Sequence, residues 1–235
     1  MAEARFDVVG VGNAIVDVIA RTDENDLARL DLNKGTMTLI DDAQAQWLYS
    51  EMGAGQETSG GSAANTLAGI ASLGGKGAYI GKVRNDQLGE VFSHDLRAVG
   101  VEYPMRPATE GPATAQCLIF VTPDADRTMQ TFLGVSMMLN PDDIDPETVG
   151  DGQITYLEGY LFDRDEAKEA FVKAAELAHA AGRRVALTLS DPFCVDRHRA
   201  SFRNMVEGHV DIVFANRDEI TSLYETDSFD DAIGQ

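Results

Sequence analysis

The sequence predicts an α/β fold: a mostly parallel sheet covered by helices on both faces, with a small β appendage inserted into the body. Three observations carry this expectation. Short apolar, β-branched runs alternate with segments of helical period, and that alternation places helices on both faces of a parallel sheet. Glycines such as Gly100 and Gly182 stand just past two helical segments, where a left-handed residue commonly ends a helix. Short strand-like pieces at 18–21, 36–40, 115–122 and 128–133 do not fit the alternation, so they are assigned to the appendage.

In chain order, "FDVVGVG" (6–12) is an apolar run ended by glycine, the pattern of a buried strand. "VIAR" and "GTMTLI" read as short half-exposed strands on either side of an acidic connector, and 41–52 as a helix. The stretch "ETSGGSAANTLAGIASLGG" is poor in large side chains. Within it Leu67, Ile70, Ala71 and Gly74 share one narrow helical face, which lets that helix lie close on a sheet. "KGAYIGKV" follows as a strand and "DQLGEVFSHDLRAVG" as a helix; "TAQCLIFVT" and "TMQTFLG" are antiparallel strands joined by the turn sequence "PDADR". The second half returns to alternation, with "QITYLEGYL", "RRVALTLS" and "VDIVFAN" as strands and "DRDEAKEAFVKAAELAHAAG" and "RDEITSLY" as helices. No internal repeat or low-complexity segment is present.

The 235 residues suffice for one α/β domain with a sizeable core. With 39 acidic against 19 basic residues and a net charge of -20, the surface repels nucleic acid and anionic membranes. An anionic small molecule can still be held by backbone N–H groups and a well-placed arginine. Cys117 and Cys194 lack metal or redox spacing, as do His94, His179, His198 and His209, so no disulfide or histidine-held metal is expected. The N-terminal residues carry no apolar stretch of signal-peptide or membrane-span length, which points to the cytoplasm.

Five motifs are candidates for polar chemistry. "GVGN" has Ile15 where a dinucleotide fingerprint needs its third glycine, so it reads as a turn. Asn13 and Asp17 stand near the end of a buried strand, where a carboxylate can accept from two vicinal hydroxyls of a ribose; a plain turn role fits the position equally well. "GGSAAN" opens a helix with Ser62 as its N-cap and glycines exposing backbone N–H groups, either to a ligand or simply as a structural turn. In "FANRDEI", Asn216 and Glu219 could orient a hydrated Mg²⁺ on bound phosphates or form a capping box. The acids of "PDADR" belong to the hairpin turn, with Arg127 the member able to reach a phosphate.

Together these pieces resemble the ribokinase (PfkB-type) family of carbohydrate and nucleoside kinases. The residues that carry the resemblance are "GNAIVD" with Asn13 and Asp17, the long run "GGSAANTLAGIASLGGKGAYIGKVRNDQLGEVFSHDLRAVGV" as the family's first signature, and "NRDE" as its N-x-x-E motif. "GGSAAN", "TLSDPF" and "VDIVFAN" are most similar to the adenosine kinases within it. The resemblance covers essentially the whole chain. It implies one ribokinase-like domain over 1–235, a three-layer α/β/α sandwich with a small β-sheet lid whose strands fall within about 14–40 and 102–134. It also implies transfer of the ATP γ-phosphoryl group, with Mg²⁺, to the 5′-hydroxyl of a purine ribonucleoside, adenosine being favoured. A sugar, guanosine or inosine is the alternative substrate, and a monomer or homodimer the implied assembly.

Residue by residue, the resemblance implies that Asp17 holds the ribose hydroxyls with Asn13, Gly61 and Asn65. Gly60 and Gly61 let the sugar approach the backbone, with Ser62 beside it. Met37, Met129, Thr131 and Tyr160 cover the base. Ser190, Asn216 and Glu219 lie on the ATP and Mg²⁺ side, the last two through water, and Arg127 reaches phosphate from the lid. One departure is large: the family's D-T-x-G-A-G-D signature, which supplies the catalytic base and the anion hole, is not reached before Gln235. Phosphoryl transfer rests on positioning and charge stabilisation. The expectation is therefore a C-terminally incomplete domain with no catalytic residue of its own and little or no activity, or alternatively a non-catalytic nucleoside-binding module.

Overall fold

A computed structural model describes residues 3–235. Its strands are β1 (Phe6–Val11), β2 (Ile15–Arg21), β3 (Met37–Leu39), β4 (Gly55–Gly60), β5 (Gly77–Ile80), β6 (Val101–Glu102), β7 (Ala115–Val121), β8 (Arg127–Phe132), β9 (Gly152–Glu158), β10 (Arg184–Thr188) and β11 (Ile212–Phe214). Its α-helices are α1 (Glu24–Arg29), α2 (Asp42–Glu51), α3 (Ser62–Ser72), α4 (Gln87–Ala98), α5 (Pro146–Gly150), α6 (Asp165–Ala180), α7 (Pro192–Gly208), α8 (Arg217–Tyr224) and α9 (Phe229–Ile233).

Six strands form an all-parallel body sheet in the order β11-β10-β9-β1-β5-β6. Alternation along β1 sends Val9 and Val11 into a core with α6 and α7 on one face, through Phe171, Ala174 and Phe202. Val8 faces the second core, built from α3, α4 and the back of a smaller sheet. The result is the helix–sheet–helix sandwich expected, with its sheet buried on both sides. Helix α3 lies close because Leu67 fills space that Gly10 and Gly77 leave open: a Cβ on either glycine would fall 2.5 or 2.4 Å from a Leu67 methyl. Ala63, Ala64 and Leu67 are the buried residues of α3, while Ile70 and Ala71 are only partly covered and Gly74 is exposed. Among the described residues no helix is long and apolar enough to cross a membrane.

The smaller sheet has the order β3-β8-β7-β2-β4. Val16, Val18, Leu118 and Phe120 point from it into the second core, and the residues between them face the opposite way. Strand β4 lies outside both stretches expected to form the lid. "GQETSG" has no apolar alternation to announce it; it is a strand because it pairs antiparallel with β2 from Ile15 to Ala20. Asp95 on α4 also accepts a hydrogen bond from Ser59 N at 2.9 Å. The acidic connector likewise hides α1, with Asp23 accepting from Asp26 N as its cap and Leu27 buried. Helix α7 was not foreseen either, because its period breaks at His198, which has φ -126° and ψ 23°.

Candidate active site

Asp17 is not at the end of β1 but in β2, the third residue of a lid strand. Residues directly opposite in a sheet share a face, so the register shows what surrounds it. Asp17 pairs with Thr58 on one side and Cys117 on the other; Cys117 pairs with Thr131, and Thr131 with Leu39. Two residues further along, Ile19, Ile119, Met129 and Met37 form a second row on that same face. Three residues expected to cover a base, Met37, Met129 and Thr131, thus stand beside the carboxylate expected to hold a sugar. Burial pushes Asp17 up from an ordinary value of 3.8 to about 6, against the pull of Arg127. Arg127 pairs with Val121 at the far end of the face.

Gly60, the last residue of β4, abuts the carboxyl group. A Cβ there would lie 2.3 Å from Asp17 Cγ and 2.4 Å from each oxygen. Gly61 has φ 91°, a left-handed value that favours glycine, and a Cβ on it would fall 2.5 Å from the Asn13 carbonyl oxygen. Both glycines are therefore required by close approach to the two residues assigned to the sugar. Asn13 is 1% exposed, and its Oδ1 accepts from Ser136 Oγ at 2.9 Å. Asn65 is exposed in the first turns of α3.

Ser62 is not the N-cap of α3. Gly61 occupies that position without a side-chain cap, and Ser62 Oγ instead donates to Glu158 Oε1 at 2.9 Å. Glu158, the last residue of β9, is the important residue that the sequence reading missed. Its Oε2 accepts from Asn13 N at 2.7 Å, and backbone N–H groups of Ser62 and Ala63 also bond to it. One buried carboxylate thereby satisfies orphan donors at the start of α3 and holds the loop after β1, a favourable place for negative charge. Gly12 must lack a side chain because a Cβ there would meet Glu158 Oε2 at 2.1 Å. Burial pushes Glu158 up from 4.5 to about 7, with these hydrogen bonds opposing it. The available signal was a glutamate at the carboxyl end of the strand "GQITYLE", the edge where α/β sheets bind ligands.

The remaining predicted residues cluster at the carboxyl ends of β9, β10 and β11. Tyr160 donates its hydroxyl to Ser190 O at 3.3 Å, so it is tied to the turn after β10 rather than to a lid strand. Ser190 has φ 73°, and its buried Oγ has no hydrogen-bond partner among the described residues. A strained serine with an orphan hydroxyl suits an oxygen-rich ligand. Asn216 and Glu219 form the capping box: Glu219 N donates to Asn216 Oδ1 at 2.9 Å, while Asn216 N and Nδ2 donate to Glu219 Oε2 and Oε1 at 3.1 and 2.7 Å. Glu219 still has unused lone pairs on both oxygens, which leaves it able to accept from metal-bound water.

A cavity of about 530 Å³ opens between lid and body, lined by Leu39 and Thr131 of the lid, Leu133 and Met138 beyond β8, and Asp163 and Arg164 before α6. A larger one of about 740 Å³ runs along α4, past Arg84, His94 and Arg97, and contains none of the residues above. The smaller cavity shares Leu39 and Thr131 with the Asp17 row.

The family described as pfkB family carbohydrate kinase matches residues 7–233. Among solved structures, a probable sugar kinase from Rhizobium etli CFN 42 is 51% identical with a TM-score of 0.88, over 98% of this chain and 70% of that one. Adenosine kinase from Sinorhizobium meliloti is 52% identical with a TM-score of 0.87, over 98% and 71%. Among curated proteins, guanosine-inosine kinase of Escherichia coli is 24% identical over 228 residues, 92% of this chain and 52% of that protein. Probable fructokinase-3 of Arabidopsis thaliana is 26% identical over 177 residues, 73% and 51%. The chain spans about half the length of the curated relatives it matches.

Proposed function

The chain belongs to the pfkB family of carbohydrate kinases, and from that premise we propose that the whole protein transfers the γ-phosphoryl group of ATP to the 5′-hydroxyl of a purine ribonucleoside, adenosine above all. The observation that carries the reading is the packing of Gly60 and Gly61 against Asp17 and Asn13, a carboxylate bare of bulk on the side where a ribose would lie. Asp17, ionised at neutral pH, accepts from the two vicinal ribose hydroxyls, with Asn13, Asn65 and the Gly61 backbone completing the wall and Ser62 beside it. Thr131 and Leu39 in the Asp17 row, flanked on the same face by the apolar row of Ile119, Met129 and Met37, offer the base a surface that a free sugar would leave uncovered.

ATP is placed at the strand ends, against the orphan Ser190 hydroxyl, with Arg127 reaching its phosphates across the cleft. Mg²⁺ would be held through water by Glu219 beside Asn216, and when bound it would neutralise phosphate charge. These residues bind and orient; the reading assigns no proton-abstracting base to any of them. A second reading, a sugar as acceptor, is favoured by the likeness to a probable sugar kinase and to fructokinases.

Calorimetry of this chain with adenosine and with fructose, beside an ATP-turnover assay, separates these readings. Adenosine binding without fructose binding supports the nucleoside assignment. Fructose binding alone overturns it, and turnover by this chain would place a base among its own residues.

A further inference from the structure

The cavity between lid and body is apolar along most of its wall, with Leu39, Leu133, Met137 and Met138 lining it. Asp163 interrupts that wall, at the end of the helical turn Gly159–Asp163 that follows β9. The protein treats its two carboxylate oxygens unequally. Oδ1 accepts from His198 Nε2 at 2.7 Å and from Arg197 Nη2 at 3.2 Å. Among the described residues no hydrogen bond reaches Oδ2. The break in α7 falls at His198 itself, so the bent helix presents two donors to one side of the carboxylate and leaves the other side unpaired. The Asp163 side chain is 23% exposed, so Oδ2 is open to a ligand N–H entering the cavity, and a hydrogen bond to an ionised acceptor is a strong one.

The cavity reaches the Asp17 row, because Leu39 and Thr131 line it and Thr131 stands two strands from Asp17 in that row. Two strand spacings are about 10 Å, so a nucleoside whose ribose lies on Asp17 projects its base toward this wall. Resting on the nucleoside reading above, we propose that Asp163 is a specificity-determining residue that accepts a hydrogen bond from the exocyclic amino group of the base. It thereby selects an aminopurine over a ketopurine. A keto oxygen would bring its lone pairs against Oδ2, and a base without a C6 substituent would leave Oδ2 unpaired. Sites built to bond a substrate N–H discriminate strongly against analogues that lack it. The other charged group on this wall, Arg164, is paired with Glu166 at 3.6 Å, which leaves Asp163 as the open polar contact.

The test is calorimetry of this chain with adenosine, inosine and purine riboside, which carries hydrogen at C6, repeated with Asp163→Asn. The wild-type chain is expected to bind adenosine at least about tenfold more tightly than either analogue. In Asp163→Asn the amide oxygen keeps His198 and Arg197, so the amide N–H₂ faces the cavity and the adenosine-to-inosine ratio shifts about tenfold or more toward inosine. The ratio is internal to each protein, so general destabilisation does not produce it, and the wild-type comparison stands even if the variant does not fold. Equal binding of adenosine and purine riboside, tighter binding of inosine by the wild type, or an unchanged ratio in the variant overturns the assignment of Asp163 while leaving the ribose site intact. Failure of all three nucleosides to bind overturns the ribose reading and this inference together.

Discussion

The Cα of Gly60 faces the Asp17 carboxyl so closely that a methyl group on it would sit 2.3 Å from the carboxyl carbon. No side chain fits without moving Asp17 or separating β4 from β2. Gly60→Ala is therefore expected to destabilise the fold by about 1–3 kcal/mol and to weaken adenosine binding by at least about tenfold. Thermal melting and calorimetry on the same preparation check both. Unchanged binding with a lowered melting temperature would mean that Asp17 does not hold the ligand.

Burial raises Asp17 from 3.8 to about 6, which makes the folded state bind more protons than the unfolded chain between those values. Stability from this group is then full below about pH 4 and falls as the pH rises toward 6, the reverse of a salt-bridged carboxylate. Ligand binding runs the other way, because ribose hydroxyls need the ionised acceptor. Asp17→Asn should raise the melting temperature at pH 7 and abolish adenosine binding. In the wild type, affinity should climb through pH 6 and level off above it, as read by calorimetry across pH 5–8.

The sandwich was legible because its strands are continuous apolar runs and α6 has an unbroken helical period. The lid's polar edge was not, since β4 owes its existence to pairing with β2 rather than to its own side chains. At the site, Asp17, Gly60 and Gly61 could be read from their motifs, and the structure brings them together. Ser62 was misplaced as a cap because the acceptor that draws its hydroxyl lies 96 residues away. Long-range carboxylate–backbone bonds leave no local pattern, which is also why Glu158 went unnoticed.

Glu158 accepts from Asn13 N, Ser62 Oγ and the start of α3, all of them donors. Glu158→Gln turns one acceptor into an N–H₂ that must face some of those donors, and Glu158→Ala leaves buried N–H groups unpaired. Either change is expected to lower stability by about 1–3 kcal/mol. Adenosine affinity should fall with it, since Asn13 and the start of α3, both proposed to face the sugar, hang from this residue. Melting curves and calorimetry test this. An alanine variant that keeps wild-type stability would show that the loop after β1 is held by other contacts.

Ser190 combines a left-handed backbone, φ 73°, with a buried hydroxyl that has no partner among the described residues. Both features cost stability in the free protein, and glycine at this position removes both at once. Ser190→Gly is therefore expected to stabilise the chain by about 1–2 kcal/mol, a rise of about 2–8 °C in melting temperature for a chain of this size. If the hydroxyl is kept for ATP, the same substitution should weaken nucleotide binding, the usual exchange of stability for function at a strained site. Melting with and without Mg²⁺–ATP separates the effects: the variant should melt higher than the wild type alone, yet gain less from the nucleotide. A variant that gains as much as the wild type from ATP would remove Ser190 from the nucleotide site and leave its strain without a ligand to explain it.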